Sequence, residues 1–188
     1  MLFRSHTAWD IGVDDMTSIW FFQSDGVRHR VVDYYENSGE GIPHYATVLK
    51  ERGYTYGNHY GPHDLDNRDW IMPGAVPRVA VARQYGINFI VVPRVPDKAD
   101  AIEALRNWLG NAWIDEEKCS RGIQCLDNYK REWNERLATW RNTPLHNWAS
   151  HGADALMTGA MGHLPEYRPP ARDAYAPKRA RSSSAWAV

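Results

Sequence analysis

Apolar and polar positions change their period several times along the chain, and each change marks an element. Residues 7–11 and 17–22 read Thr-Ala-Trp-Asp-Ile and Thr-Ser-Ile-Trp-Phe-Phe, the aromatic and β-branched composition of strands. Between them, residues 12–15 read as a turn. Ser24-Asp25-Gly26 reads as a hairpin turn, with Gly26 supplying a positive φ. Residues 27–36, rich in Val and Tyr, return as a third strand. The period then lengthens. Ile42, Tyr45, Ala46 and Leu49 fall at i, i+3, i+4 and i+7 and predict a helix, with Pro43 in its first turn and Gly53 as its stop. Residues 54–63 read as a fourth strand running into Pro62-His63-Asp64. Residues 65–76 read as a loop, 77–85 as a short helix ended by Gly86, and 87–92 as a buried strand. Asp97 is placed to cap a helix whose inner face is Ile102, Leu105 and Leu109. Asp115, Glu116 and Glu117 put acids in the first turn of the next helix, which Gly122 interrupts. Residues 129–141 read as an aromatic, basic hairpin around Asn134-Glu135. A last helix begins at Ser150 and carries the stripe Ala153, Leu156, Met157 and Ala160. Three antiparallel strands, a helix, a strand, a helix, a strand and then helices predict an α/β fold with a mixed sheet and helices on its faces.

Composition narrows the picture. A chain of 188 residues suits one domain. The character shifts at Pro165, where four prolines and Ser182-Ser183-Ser184 follow in short order, so the expected division is a domain over 1–164 and a disordered, weakly basic tail over 165–188. The formal net charge of −1 excludes a protein that coats nucleic acid by bulk charge and leaves only a local patch. Cys119 and Cys125 fit neither a disulfide scaffold nor a zinc spacing and point to a reducing compartment. No apolar run approaches the ~18 residues of a spanning helix, and residues 1–20 hold no secretory signal. The expectation is a soluble intracellular protein without a membrane partner.

The candidate chemistry lies in acids placed where an acid is costly. Asp10 sits between Trp9 and Ile11, and Asp64 ends the fourth strand. Asp154 lies beside the apolar stripe of the last helix, about 100° around from Ala153. Converging carboxylates repel one another, and Mg²⁺ or Mn²⁺ removes the conflict: oxygen ligands of this kind can hold two ions about 4 Å apart. Each acid also has a plain reading: a strand-end acid bonding turn amides, a cap for the loop after residue 64, and a helix N-terminal acid favoured by the macrodipole. Asp15 is a candidate for a further supporting group, with turn chemistry the plainer reading for it and for Asp14. His63 and His151 neighbour the proposed ligands and are candidates to orient a carboxylate or touch DNA. Asp66 and Asp69 stand close enough to Asp64 to compete for its role. Lys130, Arg131, Arg136 and Arg141 are candidate phosphate contacts, with Trp133 and Trp140 either stacking on bases or closing a satellite core.

The motifs Thr7-Ala8-Trp9-Asp10-Ile11-Gly12, Pro62-His63-Asp64 and Ser150-His151-Gly152-Ala153-Asp154-Ala155-Leu156, in that order, resemble the nuclease domain of tailed-bacteriophage terminase large subunits. The last motif is the most specific. The resemblance spans residues 5–162 and implies an RNase H-like fold. It implies that Asp10 bridges two Mg²⁺ or Mn²⁺ ions while Asp64 and Asp154 each hold one. It implies a metal-dependent endonuclease that cleaves concatemeric viral DNA during genome packaging in the host cytoplasm, with double-stranded DNA, an ATPase motor, a small terminase subunit and a portal protein as partners. The chain departs from a complete terminase in one respect. It has no Gly-Lys pair and hence no phosphate loop, so an excised domain, a separately encoded half and a truncated remnant are all consistent with it. Two further readings stay open: another RNase H-like nuclease such as a junction resolvase, and a non-catalytic DNA clamp or docking module.

Overall fold

A computed structural model of the chain describes residues 4–12, 15–66 and 76–163. Its centre is a six-stranded mixed sheet. Three antiparallel strands, β1 (Ser5–Asp10), β2 (Met16–Ser24) and β3 (His29–Ser38), form a meander. Gly26, with φ of 95°, lies in the turn between the second and third. The helix α1 (Ile42–Arg52) follows, stopped by Gly53 in the left-handed region at φ of 66°, where a side chain would be strained. The chain then enters β4 (Tyr56–Gly61), parallel to β1, and a single 3-10 turn, His63–Asp66. Next come α2 (Arg78–Gln84) and β5 (Phe89–Val91), parallel to β4 at one sheet edge. The helix α3 (Lys98–Leu109) leads to β6 (Ala112–Ile114), parallel to β3 at the other edge. The helix α4 (Ser120–Asn128) and a separate hairpin, β7 (Arg131–Asn134) with β8 (Thr139–Pro144), precede the last helix, α5 (Trp148–Gly162).

Strand periodicity sorts side chains between two cores. Ala8, Trp20, Phe22 and Tyr34 face one side of the sheet and pack with α3, α4 and α5. Trp9, Ile19, Phe21, Tyr45 and Leu49 fill the other side, under α1 and α2. Small residues bring α5 very close to the sheet. A Cβ on Gly159 would lie 2.5 Å from Ala8 Cβ, and one on Gly122 would meet the Trp20 ring at 2.4 Å. That contact explains the glycine in the first turn of α4: it is where Trp20 packs.

Four expectations need correction. Residues 87–92 form a strand only at Phe89–Val91, and this strand is an edge strand, with Ile90 exposed. The sheet has an extra strand, β6, where no strand was expected. Asp115, Glu116 and Glu117 precede α4 and do not enter its first turn. Asp115 instead accepts from the Lys118 amide at 2.9 Å, turning the chain before the helix starts. The last helix begins at Trp148, capped by Asn147, with Ser150 closing a capping box. Both cysteines are buried free thiols. Among the described residues no helix is long and apolar enough to cross a membrane. Asp14, Asp69, most of the loop expected over 65–76 and the tail over 165–188 lie outside the described residues.

Candidate metal centre

Asp10 is the last residue of β1, the central strand, and its register partner is Ser18. Alternation puts its side chain on the α5 side, with Ala8. The neighbouring strand β4 runs parallel to β1 and ends three residues before Asp64, so Asp10 and Asp64 both lie at the carboxyl ends of adjacent parallel strands. Open α/β sheets generally place their ligands at such strand ends. Asp154 comes to the same end on α5, one turn beyond His151.

The electrostatics agree that these carboxylates lie near one another. Burial raises the Asp10 carboxyl above its ordinary pKa. The Asp154 and Asp64 carboxylates push it further up, and the His151 hydrogen bond pulls it down. His151 Nδ1 donates to Asp10 Oδ2 at 3.0 Å. That bond is the largest cause of the raised His151 pKa, with Asp15 and Asp154 adding to it. Asp154 Oδ1 is held by Lys98 Nζ at 2.8 Å and accepts from the Tyr129 hydroxyl at 3.4 Å. Burial raises the Tyr129 pKa first and the Asp154 charge raises it further, so Tyr129 stays a neutral donor. Asp64 differs from the other two acids: its Oδ1 is buried and has no hydrogen-bond partner among the described residues. A buried carboxylate oxygen left unpaired is costly in a finished protein. With neighbouring oxygen donors it fits a hard cation such as Mg²⁺ or Mn²⁺.

The expected supporting residues divide. His151 orients Asp10 directly. Asp15 lies on the same side, and its carboxylate, with His146 and His151, offers donor atoms that all lie within 4.8 Å of one another. His63 is exposed on the 3-10 turn. Lys130, Arg131, Arg136 and Arg141 are exposed on or beside the hairpin, and Arg141 pairs with Glu132 at 3.1 Å. Trp133 and Trp140 meet edge to face at 5.0 Å yet stay 45% and 54% exposed, so they close no satellite core. The hairpin ends at Pro144, just ahead of His146 and α5, which sets it beside the acidic end of the sheet.

Sequence reasoning missed Lys98, Tyr129 and His146. Lys98 did carry a signal: it opens a helix, where the macrodipole disfavours a cation. Its ion pair with Asp154 resolves that local conflict. A cavity of about 490 Å³, lined by residues that include Gln23, Arg28, Arg30 and Trp113, lies elsewhere. It surrounds the Gln23–Arg30 pairing, five residues along β2 from Ser18, away from the acids.

No family model matches the sequence and no curated protein does. Solved structures do match. The large terminase of a thermophilic bacteriophage superposes with a TM-score of 0.61 at 17% identity, over 84% of this chain and 39% of its own. The large terminase nuclease domain of bacteriophage SPP1, g2p, with bound Mn, gives a TM-score of 0.59 at 15% identity, over 84% of this chain and 85% of its own. The chain has the fold of large terminase nuclease domains. The nuclease of thermophilic phage G20c, with bound magnesium, agrees at a TM-score of 0.56 and 15% identity, over 84% of this chain and 80% of its own. The chain thus spans well under half the length of the first of these terminases and most of the two nuclease domains.

Proposed function

We propose that the chain is a terminase-type, metal-dependent endonuclease that cuts concatemeric viral DNA. The observation that supports this reading is that Asp64 and Asp154, from two distant segments, both act electrostatically on the buried Asp10 at the carboxyl end of β1. These residues would hold two Mg²⁺ or Mn²⁺ ions, which supply Lewis acidity at a phosphate oxygen and a hydroxide-like nucleophile. The chain's own groups do the rest. Asp10 is oriented by His151, which fixes one of its oxygens by hydrogen bond. Lys98 holds Asp154 by a direct ion pair. The unpaired oxygen of Asp64 is the one with most to gain from a cation. Lys130, Arg131, Arg136 and Arg141 would contact the phosphate backbone and hold the duplex against the acidic end, giving affinity that falls steeply with salt.

Double-stranded DNA is then the substrate. The motor, small subunit and portal are partners of the assembly, and host cytoplasm is the place of action. The test is cleavage of linear duplex with Mn²⁺ by the full chain and by Asp10→Asn, Asp64→Asn and Asp154→Asn, each checked for fold by circular dichroism. The wild type should cut and the variants should not. A four-way junction and an RNA–DNA hybrid, run beside the duplex, separate the resolvase and RNase H readings. A variant that cuts at the wild-type rate, shown free of contaminating nuclease, overturns the assignment.

A further inference from the structure

The cluster of Asp15, His146 and His151 has a donor set unlike that of the three acids. One donor atom from each lies within 4.8 Å of the other two. The two imidazoles meet edge to face at 5.4 Å between ring centroids, with an interplanar angle of 74°. On each ring Nδ1 is already engaged: His146 Nδ1 with Ser150 Oγ at 3.2 Å, and His151 Nδ1 with Asp10 Oδ2 at 3.0 Å. That leaves Nε2 of both rings for an ion. A ring whose other nitrogen donates to a carboxylate is the usual arrangement for a metal-ligating histidine, because the carboxylate fixes the tautomer and raises the basicity of the free nitrogen. His151 therefore reaches an ion through Nε2 while its Nδ1–H stays on Asp10.

We infer that Asp15, His146 and His151 form a transition-metal site of the zinc class, distinct in chemistry from the all-oxygen site of the three aspartates. Two imidazole nitrogens and one carboxylate oxygen suit Zn²⁺, Co²⁺ or Ni²⁺, and suit Mg²⁺ poorly, since that ion keeps oxygen ligands and water. The ligands come from both sides of the site. Asp15 lies on the stretch between β1 and β2, while His146 and His151 flank the start of α5. An ion there would tie the β1–β2 turn to α5 and lock the His151–Asp10 hydrogen bond. The inference concerns binding and stands apart from the nuclease reading.

The experiment is a Zn²⁺ titration by calorimetry of the full chain in excess Mg²⁺, which occupies all-oxygen sites. The wild type should bind one Zn²⁺ at this cluster. His146→Ala should weaken that binding at least ~100-fold, beyond the 10- to 100-fold that loss of an outer partner costs. Asp15→Asn should weaken it about 10-fold, while Asp127→Asn, exposed on α4 and outside both sites, should leave it unchanged. His146 is exposed, so its truncation leaves the fold intact, and circular dichroism verifies this. An unchanged Zn²⁺ isotherm in His146→Ala, or no wild-type binding in excess Mg²⁺, overturns the site. A chain that binds Zn²⁺ here yet never cuts DNA keeps the site and removes the nuclease.

Discussion

Gly152 couples the packing of α5 to the geometry of the acidic end. It lies between His151 and Asp154, buried in the site helix. Gly152→Ala would place a Cβ 2.7 Å from Cys125 Cβ, 2.9 Å from Cys125 Sγ and 3.0 Å from the Tyr34 hydroxyl. The first contact is about 0.7 Å short of ordinary van der Waals distance. Cys125 Cβ is fixed to α4 and cannot rotate away. The Tyr34 hydroxyl is pinned by Glu36 at 2.6 Å and Ser18 at 3.1 Å. The relief has to come from α5, which draws back from α4. Overpacking of this kind costs about 1–3 kcal/mol, and alanine's better helix propensity returns ~1 kcal/mol. The net loss of about 1 kcal/mol lowers Tm by roughly 2–4 °C for a chain of this size. The functional loss should be larger. A shift of several tenths of an ångström carries His151 off Asp10 and moves Asp154, and misplacement of about 1 Å costs ~100-fold in rate. On the nuclease reading, Mn²⁺-dependent cleavage of linear duplex should therefore fall about 10- to 100-fold while the protein still melts cooperatively. The double variant Cys125→Gly/Gly152→Ala moves the Cβ to the other helix and should recover most of the rate, with Tm still low. Full cleavage by folded Gly152→Ala would refute the claim that the α4–α5 contact sets the site.

Other expectations are more direct. His6 and His59 are each held down to about 4, chiefly by burial, while the unfolded chain takes up these protons near 6.5. The unfolded state thus binds more protons between about 4 and 6.5, so stability is complete above that window and falls as pH drops through it. The slope is at most about 1.4 kcal/mol per pH unit for each imidazole, less for half-exposed His6, and urea melts at several pH values across the window read it. Trp9 Nε1 donates to Thr7 Oγ1 at 2.6 Å, and the same hydroxyl meets His59 Nδ1 at 2.6 Å. Thr7→Val leaves both buried nitrogens unpaired and should cost about 2–4 kcal/mol in chemical denaturation. Lys98→Met removes the lysine from a partly exposed ion pair with Asp154. It should tighten Mn²⁺ binding by up to ~5-fold, since such pairs are worth no more than about 1 kcal/mol.

The meander, α1 and α3 were legible because each carries a strong period and a clear boundary residue: Gly26, Gly53 and Asp97. The edge strands were legible only in part: the strand read over 87–92 is β5, shorter and more exposed than expected, and β6 was missed. β5 and β6 are three residues long and half-exposed, too short for any period to register. Trp113 in β6 is 61% exposed, which hides the strand in a sequence that places aromatic residues in the core. At the site, Asp10 and Asp154 were visible because they interrupt regular apolar patterns. His146 and Tyr129 were not, because their approach depends on how the hairpin and α4 deliver the chain to α5. That is a tertiary fact with no local signature.

The charges at the acidic end show how such a site can form before any ion binds. Three carboxylates with no counter-charge would push β1, the 3-10 turn and α5 apart. The protein supplies partners for two of them: the Lys98 ammonium for Asp154, and the His151 Nδ1–H, donated by a ring whose pKa is raised, for Asp10. Asp64 has none among the described residues, and its oxygen stays unpaired. A folded apo state therefore holds two of the three acids against side-chain partners and one without. On the nuclease reading, ion binding largely exchanges one cation for another at Asp154 and fills the missing place at Asp64. It does not have to drive folding, as it does in small domains that are unfolded without metal. Chelation should then abolish cleavage and leave the circular dichroism spectrum and the melting transition in place. Unfolding on chelation would mean that the protein's own side-chain partners do not hold this end of the sheet together.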